Sequence, residues 1–117
     1  MELTTVNQAL ENLSSFEGEY VYLTGLLTFE FEGVYIDHWP KSEQMQEELN
    51  ESSVWLSTAI NFGFNEESMT KMSGKRVIVG GTLIAPCSDL GGCGHMSGWP
   101  AEIVATQIHL HSELGKI

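Results

Sequence analysis

The fold is indicated by two stretches of the sequence, GEYVYLTGLL at residues 18–27 and GKRVIVGGTL at residues 74–83, which align without a gap. Both begin with glycine, Gly25 of the first matches Gly81 of the second, and apolar residues match at three further positions. A repeat of about ten residues that occurs twice is too short for a solenoid. It predicts two strands with the same local geometry. Each enters after a glycine turn, packs apolar residues inward, and bulges or bends sharply at the second glycine.

The remaining elements follow from the spacing of the apolar residues. The run from Phe29 to Glu32 alternates aromatic and acidic residues, as a strand requires, and Gly33 marks a further bend. The acidic segment 40–53 is predicted to be a short helix led by its proline, or a solvated loop. The other predicted elements are a helix at about 4–13, strands at about 19–27, 29–37, 53–62, 75–85 and 101–111, and a helix between Asn65 and Gly74. Alternation in the last strand places on one face Ile103, Ala105, Gln107 and His109.

Five strands with a helix between the third and the fourth resemble the OB-fold, a five-stranded Greek-key barrel. The stretches that carry the resemblance are GEYVYLTGLL, VWLS, NEESMTKM, GKRVIVGGTLI and AEIVATQIHL, which together span about residues 16–111. We therefore predict a mainly β chain with a short N-terminal helix, in which residues 1–117 form one domain. A small β-sandwich and another α+β roll are the alternative folds. The OB-fold hosts many activities, so the resemblance alone assigns no function.

The charge of the chain is strongly negative and unevenly distributed. Sixteen acidic residues face five basic ones, for a net charge of −11, and thirteen of the acidic residues precede residue 68, where Lys41 is the only base. Such a field repels nucleic acid and anionic lipid and attracts basic partners, although it also serves solubility alone. The sequence has no apolar run of about 18 residues and no signal-peptide pattern at its start, so we expect a cytoplasmic protein without a membrane span.

The glycine-rich loop CSDLGGCGHMSGWP at residues 87–100 joins the fourth and fifth predicted strands and contains both cysteines. Its Cys-x5-Cys-x-His spacing is longer than that of usual structural zinc pairs, and no fourth ligand is specified. Cytoplasmic thiols stay reduced, so we expect small, buried, unbridged cysteines and no cofactor. A disulfide between Cys87 and Cys93, or a zinc or redox site formed by Cys87, Cys93 and His95, remains as an alternative.

The same loop is the predicted place of surface contacts. Connections of this kind flank the usual ligand face of OB-folds. Large side chains on such loops serve as contact anchors, which we expect of His95 and Met96. For Trp99 we favour a ring that folds back against the end of the barrel.

Catalysis and nucleic acid binding are disfavoured by the sequence. The aromatic residues could provide a stacking surface for single strands, but Glu30 and Glu32 are interleaved with the phenylalanines and basic residues are missing beside them. We therefore expect most rings in the core and nucleic acid as an unlikely partner. No phosphate-binding glycine loop matches a known pattern, and no pair of carboxylates is recognisable as a catalytic pair, so we predict that the protein is not an enzyme.

A small, acidic chain without catalytic motifs is similar to the immunity proteins of bacterial polymorphic toxin systems, including contact-dependent inhibition. The resemblance implies a tight complex with a basic partner, such as a toxin nuclease whose active site the inhibitor covers. We predict a non-enzymatic protein-binding module with a basic protein partner. The predicted contact residues are Glu30, Glu32, Asp37, Glu43, Glu47 and Glu48 as steering carboxylates, and Trp39, His95 and Met96 as anchors. The alternatives are an OB-fold binder of an oligonucleotide or small ligand, and the zinc or redox protein named above.

Overall fold

The structure is a computed structural model, and it describes residues 2–30, 33–45, 51–58, 66–85, 93 and 98–112. Within these residues the chain is mainly β, as predicted. The strands are β1 (Leu3–Thr5), β2 (Tyr20–Glu30), β3 (Gly33–Asp37), β4 (Ser53–Thr58), β5 (Arg76–Ile84) and β6 (Glu102–Leu110). The helices are α1 (Val6–Glu11), α2 (Leu13–Phe16), α3 (Glu66–Met72) and a single turn of 3-10 helix at Lys41–Glu43.

The strands form one mixed sheet that closes on itself. Its order is β1-β2-β3-β4-β6-β5, and β5 pairs again with β2, so that five of the strands complete a ring. The long strand β2 makes the closure possible, because its first part pairs with β5 and its second part with β3. The pairs β1–β2 and β4–β6 are parallel, and the others are antiparallel. The described residues thus contain six strands where the sequence predicts five.

The internal repeat appears in the structure as a local two-fold relationship between β2 and β5. Gly18 and Gly74, which precede the two strands, both have φ of 82°, a conformation that favours glycine. The N–H of Gly18 donates to the carbonyl of Leu83 at 2.7 Å, and the N–H of Gly74 donates to the carbonyl of Leu27 at the same distance. Each strand therefore begins at a glycine turn whose N–H is hydrogen-bonded to a carbonyl in the later part of the other strand.

Gly25 and Gly81 are required because a neighbouring strand approaches too closely for a side chain. An added Cβ would overlap the carbonyl oxygen of Asp37 at Gly25, and that of Val104 at Gly81. The register remains continuous through Gly25, which pairs with Val77. A bulge at Gly25 is therefore wrong, and the glycine instead permits the close approach of β3 where β2 changes partners.

The register between β5 and β6 shifts beside Gly81, where Thr106 is an extra residue without a Cα partner on β5. Ala105 is buried before this bulge, and Ile108 packs against the core after it. The prediction that Gln107 shares the face of Ala105 is therefore wrong. Side chains along a strand alternate between the two faces of the sheet. One extra residue therefore moves every side chain after the bulge to the opposite face.

The N-terminal helix is shorter than predicted and follows a strand. β1 runs parallel to β2, with Leu3 opposite Tyr22. Thr5 then caps α1: its hydroxyl accepts the N–H of Gln8 at 3.2 Å, and its own N–H donates to the Gln8 side chain at 2.9 Å. This capping box fixes the start of α1, so the helix predicted at 4–13 is wrong at its first residues. None of the helices in the described part of the chain is long and apolar enough to cross a membrane.

Other boundaries also differ from the predictions. β2 continues to Glu30, through the position where the sequence predicts the start of a second strand, and Gly33 begins β3 rather than bending it. The 3-10 turn at Lys41–Glu43 follows Pro40 as its N-cap. β4 covers the first six residues of the strand predicted at 53–62, and the remainder lies outside the described residues.

The core lies inside the ring and is closed on one side by α1. Inward side chains alternate along β2, β3 and β4, and each fully buried aliphatic side chain contributes about 1.5–3 kcal/mol to the free energy of folding. The buried cluster comprises Val6, Ala9, Val21, Leu23, Leu27, Ile36, Val54, Leu56, Met69, Val77, Val79, Leu83, Ala101, Ile103 and Ala105. Because this face is apolar, the alternate residues of β3 and β4 lie on the outer face, where the candidate site is found.

Candidate functional site

Three aromatic residues meet on the outer face of β3, β4 and the segment before β6. Tyr35 pairs directly with Trp55 across the two strands. The ring of Trp99 packs against both, with centroid distances of 5.2 Å to Tyr35 and 4.8 Å to Trp55. All three are half-buried. We call Tyr35, Trp55 and Trp99 the aromatic cluster. The expectation that the rings lie in the core is wrong for Tyr35 and Trp55, which are half-buried on the outer face.

Trp99 is held in the cluster by hydrogen bonds at both of its polar ends. Its indole N–H donates to the hydroxyl of Ser53 at 3.0 Å. Its backbone forms an isolated antiparallel bridge with Cys93, in which the N–H of Cys93 donates at 2.7 Å and the N–H of Trp99 donates at 3.0 Å. Trp99 thus folds back onto the outer face of the strands, and its ring is preorganised there.

Cys93 is disulfide-bonded and almost completely buried. The expectation of a reduced, unbridged thiol is therefore wrong for Cys93. The chain's other cysteine, Cys87, and His95 lie outside the described residues.

A zinc site that uses Cys93 is disfavoured on chemical grounds, because a sulfur in a disulfide offers no thiolate to a metal. Among the described residues, no group of three or more histidine, cysteine or acidic side chains could hold a metal ion. The Nε2 atom of His109 is instead hydrogen-bonded to the side-chain oxygen of Gln107, at 3.2 Å.

Carboxylates border the aromatic cluster on the side of β3. Asp37 ends β3 and is half-buried, and burial raises its pKa above the ordinary value of 3.8. Hydrogen bonds from Ser53 and Thr28 oppose this shift, and the charge of Glu30 adds to it. Burial also raises the pKa of the Tyr35 hydroxyl, and the charges of Glu30 and Asp37 raise it further. Both carboxylates therefore lie within electrostatic range of the Tyr35 hydroxyl, and a cation bound there would offset the repulsion between Glu30 and Asp37.

The next predicted contact residue, Glu43, is anchored by a buried histidine. His38 is only 2% exposed, and its Nδ1 accepts the backbone N–H of Asn7 at 3.1 Å. In the neutral imidazole Nε2 then carries the proton, and it donates to the Glu43 carboxylate at 3.3 Å. Although the Glu43 side chain is 63% exposed, this contact holds it beside β3.

Trp39 follows β3 and is 37% exposed, which makes it one of the few exposed large apolar side chains among the described residues. The Cζ atom of Arg76 lies 5.7 Å from the centroid of its ring, within the range of a cation–π contact. Trp39 is thus partly covered on one face by a guanidinium and open to solvent elsewhere.

The structure gathers four of the predicted contact residues along β3 and its two ends. Glu30 is exposed at the end of β2, Asp37 ends β3, and Trp39 and Glu43 follow it. The predicted contact residues outside the described part of the chain are Glu32, Glu47, Glu48, His95 and Met96.

Sequence reasoning missed the aromatic cluster as a surface. A signal was available, because Tyr35 and Trp55 are out of phase with the buried residues Ile36 and Leu56 on their own strands. The contribution of Trp99 required knowledge of the tertiary fold, since it comes from outside both strands.

No protein-family model and no curated protein matches the chain. Solved structures resemble it in fold. A putative aspartyl-tRNA synthetase from Leishmania major Friedlin aligns with a TM-score of 0.52 and 13% identity over 93% of this chain, which spans only 20% of that chain. A DUF3299 family protein from Pseudomonas aeruginosa PAO1 aligns with a TM-score of 0.51 and 11% identity over 83% of this chain and 64% of that chain. At these identities the likeness concerns the fold alone.

Proposed function

We propose that this protein is a non-enzymatic binding module that holds a basic protein partner on the outer face of β3 and β4. The observation that carries the proposal is the juxtaposition of the preorganised aromatic cluster with Glu30 and Asp37, both of which raise the pKa of Tyr35. We call Glu30, Asp37 and the aromatic cluster the acidic-aromatic face.

The chemistry of this face suits lysine and arginine side chains. Aromatic rings attract cations above their faces, and carboxylates form short, charge-assisted hydrogen bonds with guanidinium groups. Tyrosine and tryptophan are also the side chains that most often dominate the binding energy of protein interfaces. The net charge of −11 adds long-range attraction, which accelerates the encounter with a basic partner.

We also propose that the closed ring is an OB-like barrel with β1 as an additional strand. The strand order supports this, because β2, β3, β4, β6 and β5 close in sequence with β4 and β6 parallel, and α3 lies between β4 and β5 in the chain. In OB-folds the ligand face lies on the second and third strands, which correspond here to β3 and β4. The acidic-aromatic face occupies that position.

The kind of partner that fits best is a basic toxin domain, such as a nuclease, which an immunity protein neutralises. Carboxylates arranged on a rigid surface would take the place of the phosphates that such a nuclease binds. The aromatic cluster would supply the apolar contact that sets the lifetime of the complex.

The test uses a partner captured from a lysate of the source organism and two charge-reversal variants. The variant Glu30→Lys/Glu43→Lys reverses the exposed carboxylate of the acidic-aromatic face and that of the neighbouring contact residue Glu43. The control variant Glu11→Lys/Glu17→Lys makes the same change in net charge at exposed positions near the helices. We expect the association rate of the captured partner to fall about tenfold more for the first variant. Equal losses would show that only net charge matters, and would overturn the proposed surface.

The competing function, binding of an oligonucleotide, is tested with the same protein. The aromatic cluster offers a stacking surface, but its carboxylates repel phosphates. A labelled single-stranded DNA or RNA that binds at low salt and is lost in Trp55→Ala would favour that function over the basic partner.

A further inference from the structure

Arg76 is the only arginine of the sequence and begins β5. Its guanidinium lies against the ring of Trp39, and its Nε atom is buried without a hydrogen-bond partner. Within the described residues no salt bridge joins it to a carboxylate, although the chain contains sixteen acidic residues. A buried guanidinium nitrogen without an acceptor carries a substantial desolvation cost.

The two-fold relationship between β2 and β5 provides an internal comparison. Tyr20 begins β2 as Arg76 begins β5, and the two occupy equivalent positions in the pairing of these strands. The hydroxyl of Tyr20 is satisfied by Thr106 at 2.7 Å and by the amide of Gln107 at 3.0 Å. Within the described part of the chain, the Tyr20 hydroxyl thus has two polar partners, and the Nε atom of Arg76 at the equivalent position has none.

None of the described groups around Arg76 forms an ion pair with it. Leu26 lies opposite it on β2, and Asp37 lies opposite Leu26 on β3, so the three residues form one outward row. The Asp37 carboxylate accepts hydrogen bonds from Ser53 and Thr28 and forms no salt bridge with Arg76. The nearby His111 is neutral or cationic and so offers no negative charge; burial lowers its pKa, and the charge of Arg76 lowers it further.

We propose that Arg76 and Trp39 form a binding site for one carboxylate group. Because the Nε atom is buried, the donors for a ligand are the two terminal amino groups of the guanidinium, whose parallel N–H bonds match the two oxygens of a carboxylate. The tryptophan ring fixes the plane of the guanidinium and shields one side from water. A monoanion suits a chain of net charge −11 better than a phosphate dianion, which would meet about twice the repulsion. The carboxylate belongs to a free organic acid or to a polypeptide, and the site does not depend on the identity of the basic partner proposed above.

The probe is sodium acetate, added to the ¹⁵N-labelled protein at constant ionic strength by exchange for sodium chloride. We expect a saturable shift of the Trp39 indole N–H resonance, with half-saturation on the order of 10 mM, as befits a single charged contact. The variants Arg76→Gln and Lys75→Gln remove the same charge at adjacent positions. Arg76→Gln should abolish saturable shifts at Trp39, whereas Lys75→Gln should bind acetate within about twofold of the wild type.

A second pair of variants tests the ring. Trp39→Phe should retain binding, and Trp39→Leu should weaken it about threefold or more. Every variant is first required to give a dispersed amide spectrum, and Arg76→Lys replaces Arg76→Gln if the latter does not fold. The Arg76→Lys variant keeps the charge but lacks the parallel donors, so we expect it to bind acetate about fivefold more weakly than the wild type does.

The affinities of tetraglycine with a free C-terminus and with an amidated C-terminus distinguish the possible sources of the carboxylate. Tighter binding of the free form than of acetate would assign the site to a polypeptide terminus, and equal or weaker binding would assign it to a free acid. The proposal is overturned by shifts that do not saturate, by equal losses in Arg76→Gln and Lys75→Gln, or by inorganic phosphate binding more tightly than acetate.

Discussion

The indole N–H of Trp99 donates to the hydroxyl of Ser53 at 3.0 Å, across 46 residues of the chain. This bond fixes the ring that completes the aromatic cluster. Ser53 is buried, so its hydroxyl depends on partners within the protein.

Replacement of Trp99 separates the hydrogen bond from the ring. Trp99→Phe keeps an aromatic ring but removes the donor, and we expect a loss of about 1 kcal/mol in the free energy of unfolding. Trp99→Ala also removes the packing, and we expect a loss of about 2–3 kcal/mol from this half-buried site. Urea unfolding measures both values, and indistinguishable losses in the two variants would contradict the role of the ring.

The glycines of the internal repeat should differ in their tolerance of alanine. Gly25→Ala and Gly81→Ala place a Cβ against backbone oxygen, so we expect each to cost about 3 kcal/mol or more, or to prevent folding. The control is Gly18→Ala, where a Cβ has open space but φ is 82°, and we expect a cost of about 1 kcal/mol. Equal effects at all three positions would show that close approach does not limit Gly25 and Gly81.

Reduction of the disulfide at Cys93 should destabilise the protein moderately. Cross-links that close short loops contribute about 2 kcal/mol to stability, so we expect a loss of this size on reduction or in Cys93→Ser. Thermal unfolding with and without reductant measures the loss, and Cys93→Ser serves as its own control because it should no longer respond to reductant. Alkylation of both cysteines in the unreduced, denatured protein would contradict the disulfide.

Asp37 should make stability depend on pH in the acid range. Because burial raises its pKa above 3.8, the folded protein binds more protons than the unfolded chain just above this value, and the free energy of unfolding falls as pH rises through that window. Asp37→Asn removes the titration, so its stability curve should be flatter there, and its stability at neutral pH should equal or exceed that of the wild type. Urea unfolding across the window tests this, with Glu11→Gln at an exposed position as the control.

The sequence predicted β5 and the first part of β2 because the repeat encodes a local requirement, a glycine turn followed by inward apolar residues. It did not predict β1, since three residues pair with β2 only in the tertiary structure. It also could not place the bulge at Thr106. An extra residue in β6 is recognised only from its pairing with β5, and the sequence alone does not show this pairing.

The acidic residues of the candidate site were predicted from charge, and the aromatic cluster was not. Glu30 and Asp37 are recognisable from their place beside a strand, whereas the meeting of Tyr35 with Trp55 depends on strand pairing. The position of Trp99 depends further on a hydrogen bond to Ser53, which lies far from it in sequence. Long-range pairing therefore decides what the surface presents.

An NMR titration with a hexa-arginine peptide at physiological salt shows whether the acidic-aromatic face binds a basic partner. Screening at that ionic strength weakens diffuse attraction beyond about 8 Å and leaves close contacts. We predict that the largest and saturable shifts fall on Tyr35, Trp55 and Trp99, and that Trp55→Ala reduces the affinity about fivefold or more. Shifts spread evenly over the exposed acidic positions Glu11, Glu17 and Glu66, with none at the aromatic cluster, would contradict the acidic-aromatic face as a binding surface.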